Sequence, residues 1–170
     1  RGTVVNLDDS GQILRPAITW LDQRRSDFKP RFKFPWNRIF SLPGLKPIVK
    51  YLQAEAEINW IYRNQPEIWD RTAHYLMLSG YINYRITGNF RDSIANQVGY
   101  IPFDYKRLRW PKKGHWRWDI LKAKPETLPE LVEPGSLIGH LTEAAAMQFH
   151  LPAGLPVIAG ASDKACEVLG

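Results

Sequence analysis

The chain has a single cysteine, Cys166, among 170 residues. That excludes an intramolecular disulfide framework and leads to the expectation of a reducing, cytoplasmic compartment. Long apolar runs are also missing. The longest, at 144–147 and 155–161, fall far short of the roughly 18–20 residues that a membrane-spanning helix needs. No charged-then-apolar leader follows Arg1, and the chain is expected to be a piece of a longer protein. Neither a GxxxxGK loop followed by Ser or Thr nor a GxGxxG loop occurs, so no nucleotide cradle of these kinds is encoded. The absence of a GxSxG elbow argues against a serine hydrolase. The four histidines, His74, His115, His140 and His150, share no metal-ligand spacing with one another or with the cysteine.

The remaining composition, 44% hydrophobic and 24% charged, is that of a globular domain long enough to bury a core. The net charge is +6, and about half of the 23 basic side chains fall in two stretches. One holds Arg24, Arg25, Lys29, Arg31, Lys33 and Arg38, interleaved with Phe28, Phe32, Phe34 and Trp36. The other holds Lys106, Arg107, Arg109, Lys112, Lys113 and Arg117, interleaved with Tyr105, Trp110, Trp116 and Trp118. Such alternation suits a single-stranded nucleic acid, with phosphates on the charges and bases on the rings. It equally suits two solvated loops whose rings fold back onto the core. The second reading is preferred, because neither stretch matches a nucleic-acid module.

Along the chain, Thr3-Val4-Val5, the turn Asp8-Asp9-Ser10-Gly11 and the return 12–15 predict a β-hairpin. Pro16 precedes a short strand at 17–20, and 22–43 reads as a loop with short helical pieces. Ile48, Val49, Leu52, Ala56, Trp60 and Ile61 form an apolar stripe at helical spacing that Pro66 ends. A second helix is expected from Asp70 or Thr72 to Ile86, closed by Gly88. A strand-rich crossing at 92–103, a short helix at 119–124 and an extended segment at 128–132 follow. A strand at 138–141 then leads to a helix at 143–150 capped by Thr142. A buried strand at 157–161 runs into a last helix opened by Ser162-Asp163. Strands alternating with helices predict an α/β or mixed α+β domain.

Asp163 is the best candidate for chemistry. It follows the carboxyl end of a strand, where open α/β sheets gather reacting groups. It also opens a helix, whose dipole favours the ionised carboxylate. A carboxylate so placed can accept a proton from an alcohol, and Gly160, Ala161 and Ser162 keep the approach open. Asp is equally a preferred helix cap, which leaves a purely structural role open at this point. Cys166 is read as a core residue of the last helix.

Four segments in order carry a resemblance: GQILRPAITWLDQRR, DRTAHYLMLSGYINYRITGNFRDS, LPELVEPGSLIGHL and GLPVIAGASDKACEVLG. Together they resemble the FGGY carbohydrate kinases, in particular their xylulokinase and glycerol kinase branches. The resemblance implies an α/β, ribonuclease H-like (actin-like) fold with a mixed sheet flanked by helices. Residues 1–170 would be part of the N-terminal, sugar-binding domain, with upstream strands and a C-terminal ATP-binding domain outside the chain. It implies an ATP-dependent kinase that phosphorylates a sugar or polyol hydroxyl using ATP and Mg²⁺. Asp163 would be the catalytic base, and Trp20, Asp22 and Arg1 substrate-binding residues. Asp92, the acidic residue after the Thr-Gly helix end, would have either a site role or a turn role. These 170 residues alone are expected to be inactive. The implied partners are the sugar and the protein's own C-terminal domain, with no membrane and no nucleic acid, and the basic loops leave room for a homodimer interface. Lys164, Cys166 and Glu167 depart from the family pattern, as does the long Trp-rich segment 105–118. The alternatives are a nucleic-acid or protein-partner module built on 24–38 and 105–118, or a degenerate, non-catalytic homologue of the kinases.

Overall fold

The computed structural model of the chain describes residues 2–27, 32–162 and 166–168. Strand β1 (Val4–Leu7) is buried along its whole length. It pairs antiparallel with β2 (His74–Met77), Val4 opposite Met77 and Leu7 opposite His74. Its other edge meets Ile18 and Ile13 through single bridges. Side chains alternate across this ladder as a pleated strand requires. Val4, Tyr75 and Met77 join the large core with Ile58, Ile61, Trp69 and Phe103, while Val5, Leu7 and Leu76 face a smaller cluster.

The hairpin expected from the sequence is present as a turn with isolated bridges. Asp8 holds it, accepting from the Ser10 hydroxyl at 2.7 Å and from the amides of Ser10 and Gln12. These bonds, led by the Ser10 hydroxyl, keep the Asp8 carboxyl below its usual range. Gly11 takes φ 78, and a Cβ there would collide with the Tyr84 hydroxyl. The strand expected at 17–20 shrinks to the Ile18 bridge, because Pro16 has no amide to donate to a ladder.

Three further expectations are corrected. The helix predicted through Trp60 is two helices, α2 (Leu45–Glu55) and α3 (Glu57–Asn64), after the short α1 (Trp36–Ile39). The break falls at Ala56, whose ψ of 116 is extended. The second predicted helix is instead strand β2 followed by α5 (Leu78–Thr87), with a separate short helix α4 (Pro66–Arg71) ahead of it. A four-residue apolar run does not announce its period, and here pairing with β1 decides it. Gly88 ends α5 in the left-handed conformation expected of it, φ 75, its amide on the Tyr84 carbonyl at 2.7 Å.

In the crossing at 92–103, only β3 (Arg91–Ser93) is a strand, followed by a 3₁₀ turn at Ile94–Asn96. The short helix lies slightly earlier than expected, as α6 (Arg117–Ile120). β3 runs parallel to β4 (Glu130–Val132), while β5 (Leu137–His140) and β6 (Pro156–Ile158) pair antiparallel around α7 (Glu143–Phe149). The Thr142 hydroxyl caps α7 by accepting from the Ala145 amide. The strand read as buried at 157–161 is the third correction: β6 is largely exposed, Ile158 at 52%. It is paired on one edge by β5, and apolar composition alone does not say whether a sheet face is covered.

Asn59 joins the end of α2 to α6. It is fully buried, donates to the carbonyls of Gln53 and Ile120 at 3.0 Å each, and accepts from the Lys122 amide at 2.9 Å. Asn59→Leu removes the partner of three backbone groups, two of them in buried bonds, so a loss of roughly 2–4 kcal/mol is expected in denaturant melts. His74 stacks on Phe90 with centroids 3.4 Å apart, and Phe90 stacks on Tyr84 at 4.2 Å. Burial lowers the His74 pKa against the opposing pull of Asp9. The folded state therefore favours the neutral ring, and below about pH 6.5 the unfolded chain binds more protons. Stability should fall as the pH drops through that value, and His74→Phe should remove this part of the slope of melting temperature against pH.

Candidate functional site

The carboxyl ends of β2 and β6 open onto one cleft of about 640 Å³. Gly2 and Thr3 line it just before β1, Met77 and Ser79 at the β2–α5 junction, Asn96 and Val98 after β3, and Ala161 and Ser162 after β6. Trp20, 64% exposed, forms a further wall. The Leu78 amide donates to the Thr3 carbonyl at 3.0 Å and ties the start of α5 to the start of β1. A Cβ on Gly2 would stand 2.9 Å from Met77 Sδ, so a side chain there would press on the cleft wall.

Asp163 and Arg1 lie outside the described residues, but their neighbours Ser162 and Gly2 line this same cleft. The Cys166 amide donates to the Ser162 carbonyl at 3.0 Å. Cys166 itself is exposed, contrary to its reading as core, since its short helical turn has no described cover. Asp22 belongs to an adjoining cleft of about 600 Å³, shared with Trp20, Gln23, Arg25 and Glu55. Its carboxylate accepts from Arg24 Nε at 2.8 Å and pairs with Nη2 at 2.7 Å, and the Arg24 guanidinium lies 4.3 Å from the Trp60 ring centroid. Trp20 borders both clefts, so the sequence-predicted residues divide around it.

Asp92 is fully buried beside the first cleft. Its Oδ2 accepts from the Ser79 hydroxyl at 2.7 Å and Gln97 Nε2 at 2.9 Å. Its Oδ1 accepts from the Ser93 amide at 2.8 Å, Asn96 Nδ2 at 3.1 Å and Asn83 Nδ2 at 3.5 Å. Ser79 and Asn96 were not singled out from the sequence. The signal for Asn96 was the density of amide side chains just after Asp92, and Ser79 had none.

A mixed α/β domain with a cleft at the carboxyl ends of its strands is the setting of a small-molecule site. The whole chain, residues 1–170, matches the family model described as the N-terminal domain of the FGGY family of carbohydrate kinases, and it belongs to that family. It is 36% identical to the uncharacterized sugar kinase YgcE of Escherichia coli over 73% of this chain and 24% of that protein. It is 27% identical to a xylulose kinase of Lactococcus lactis over 99% of this chain and 33% of the relative. The crystal structure of xylulose kinase from Rhodospirillum rubrum superposes with a TM-score of 0.76 at 23% identity, covering 99% of this chain and 35% of that one. The fold is thus the actin-like one that the resemblance implied. The chain spans about a quarter to a third of the length of these relatives. Among the described residues, no helix is long and apolar enough to cross a membrane, and no three His, Cys, Asp or Glu residues are grouped to hold a metal.

The two basic-aromatic stretches, far apart in sequence, meet in space. Trp36 stacks on Phe40 at 5.6 Å, and Trp116 packs against both, at 6.0 and 5.4 Å. Phe32, Phe40, Trp110 and Trp116 rest against the main core. Asp104 gathers the cations around it. Burial raises its pKa, but the bond from Arg107, the Lys106 amide and the nearby Arg117 outweigh this and lower it. These rings are occupied by one another, so the nucleic-acid alternative finds no support. Trp116→Ala should cost about 2–4 kcal/mol of stability in denaturant melts, as removal of a packed ring does. The exposed Phe34→Ala should leave stability nearly unchanged.

Proposed function

We propose that the full protein is an ATP-dependent carbohydrate kinase that transfers the γ-phosphoryl group of ATP to a sugar or polyol hydroxyl. In this reading Asp163 accepts the proton of the attacking hydroxyl, and Trp20, Asp22 and Arg1 contact the sugar. The observation that carries it is the cleft shared by Trp20, Gly2 and Ser162, because it joins the segment before Asp163 to the aromatic wall. A sugar presents alternating apolar C–H faces and hydroxyl groups. A Trp face opposite a Ser, a Thr and an Asn answers both kinds of surface.

The described residues do not suit ATP or Mg²⁺. The sequence has no glycine-rich phosphate loop, and the described part offers no cluster of metal ligands. In this reading the nucleotide and its metal are held by other segments of the full protein, including a C-terminal domain, and the protein works in the cytoplasm, where ATP is abundant. The part played here is to bind the acceptor, orient its hydroxyl and take up its proton.

The test is sugar-dependent ADP release by the full-length protein across a panel of ketoses, aldoses and polyols, beside Asp163→Asn. One sugar should stand out, and the substitution should lower turnover by about 10²–10⁴-fold, the usual contribution of a positioned base. An unchanged rate in Asp163→Asn would leave that residue as a helix cap and overturn its role.

A further inference from the structure

We infer that Ser79 and Asn96 contact the substrate's hydroxyl groups, Ser79 as a hydrogen-bond acceptor, and that Asp92 is the positioning residue that fixes them so. The inference rests on the carbohydrate-kinase reading and deepens it.

Asp92 is fully buried, and its five described partners are all neutral donors: one hydroxyl, one backbone amide and three side-chain amides. An ionised carboxylate only accepts, so each partner must turn a hydrogen toward it. Ser79 has one hydroxyl proton, and at 2.7 Å that proton is committed to Asp92 Oδ2. Toward the cleft that it lines, Ser79 can present only lone pairs. Asn96 must aim one hydrogen of its amide nitrogen at Asp92 Oδ1, which fixes which end of the side chain is the carbonyl acceptor and leaves its second N–H as a donor. The orientation follows from the partner, since oxygen and nitrogen of an amide are told apart by their hydrogen bonds.

The position of Asp92 is itself held firmly. Its carboxylate lies against the first turn of α5, where a Cβ on Gly80 would sit 3.4 Å from Oδ2. That turn contains no acidic residue of its own, so Asp92 supplies the negative charge that the positive end of the helix favours. Gln97 Nε2 also donates to the Ser93 carbonyl at 3.1 Å, which stiffens the loop carrying Asn96. The Ser79 hydroxyl thus offers the cleft lone pairs only, and the Asn96 amide is held in one orientation beside it on the same rigid support. A ligand meeting Ser79 must bring a donor, as a hydroxyl of a sugar does. A ligand carrying a carboxylate or phosphate at that place would meet lone pairs with lone pairs. Ser79 therefore selects polyhydroxyl ligands and disfavours acidic groups at this end of the cleft.

The experiment uses the full-length protein, with sugar KM, ATP KM and turnover measured for Ser79→Ala, Ser79→Thr, Asn96→Ala and Asp92→Asn. The sugar is the best of the panel, together with its monodeoxy analogues. Ser79→Ala should raise the sugar KM about 3–10-fold, the worth of one hydrogen bond between neutral groups, and leave the ATP KM unchanged. Ser79→Thr, which keeps the hydroxyl, should restore the parent value. One deoxy analogue should lose the same factor with the parent protein and no more with Ser79→Ala. Asp92→Asn should raise the sugar KM by at least as much as Ser79→Ala. If that variant does not fold, the Ser79 pair still decides. A sugar KM within twofold of the parent in both Ser79→Ala and Asn96→Ala would overturn the inference while leaving the kinase reading intact. A parent protein that neither phosphorylates any sugar of the panel nor binds one by calorimetry would overturn both.

Discussion

The organisation of the domain depends on the double pairing of β1. A strand with both edges hydrogen-bonded and both faces buried has no freedom of register, because a slip of one residue would exchange its two faces. Val4 would then leave the main core for the smaller cluster, and Val5 the reverse. The fixed register sets Met77 opposite Val4, and hence the start of α5 beside Gly2 and Thr3. The cleft is the space left at this end of the ladder, where β1 begins and β2 gives way to a helix without an intervening loop. At the other end the Asp8 turn and the ring stack on His74 close the ladder off.

A second constraint acts through charge. A carboxylate removed from water is costly unless its lone pairs are met, and Asp92 meets that demand with donors from α5, β3 and the following turn. The same bonds that make the burial tolerable tie α5 to the continuous segment of β3 and the turn after it. Asp22 illustrates the contrasting arrangement. It is partly exposed and paired with Arg24, which is itself stacked on Trp60, so its charge is neutralised locally in the adjoining cleft that Trp20 also lines.

The basic stretches show how composition can suggest a function that packing removes. Rings spaced among cations are what a nucleic-acid surface and a folded loop have in common. Trp36 stacks on Phe40, Trp116 packs against both, and Phe40 and Trp116 rest against the core, so these rings are engaged with one another. Within the 105–118 segment, Trp110 and Trp116 rest against the main core, and the Trp110 indole donates to the Pro129 carbonyl at 2.8 Å.

The sequence by itself determined whatever depends on near neighbours and on ordered motifs. The Asp8–Gly11 turn, the left-handed close of α5 at Gly88, the Thr142 cap and the family all follow from residues a few positions apart or from blocks in a set order. It also singled out Trp20 and Asp92, though without a division of labour between them. Tertiary structure decided what depends on distant partners. Residues 74–77 are a strand because β1 lies alongside, and the helix through Ala56 is broken where Asn59 reaches α6. Ser79 and Asn96 gain a fixed polarity only once Asp92 is buried between them. Local spacing records the period of a segment, whereas the choice among strand, helix and site is made by hydrogen-bond partners many residues away.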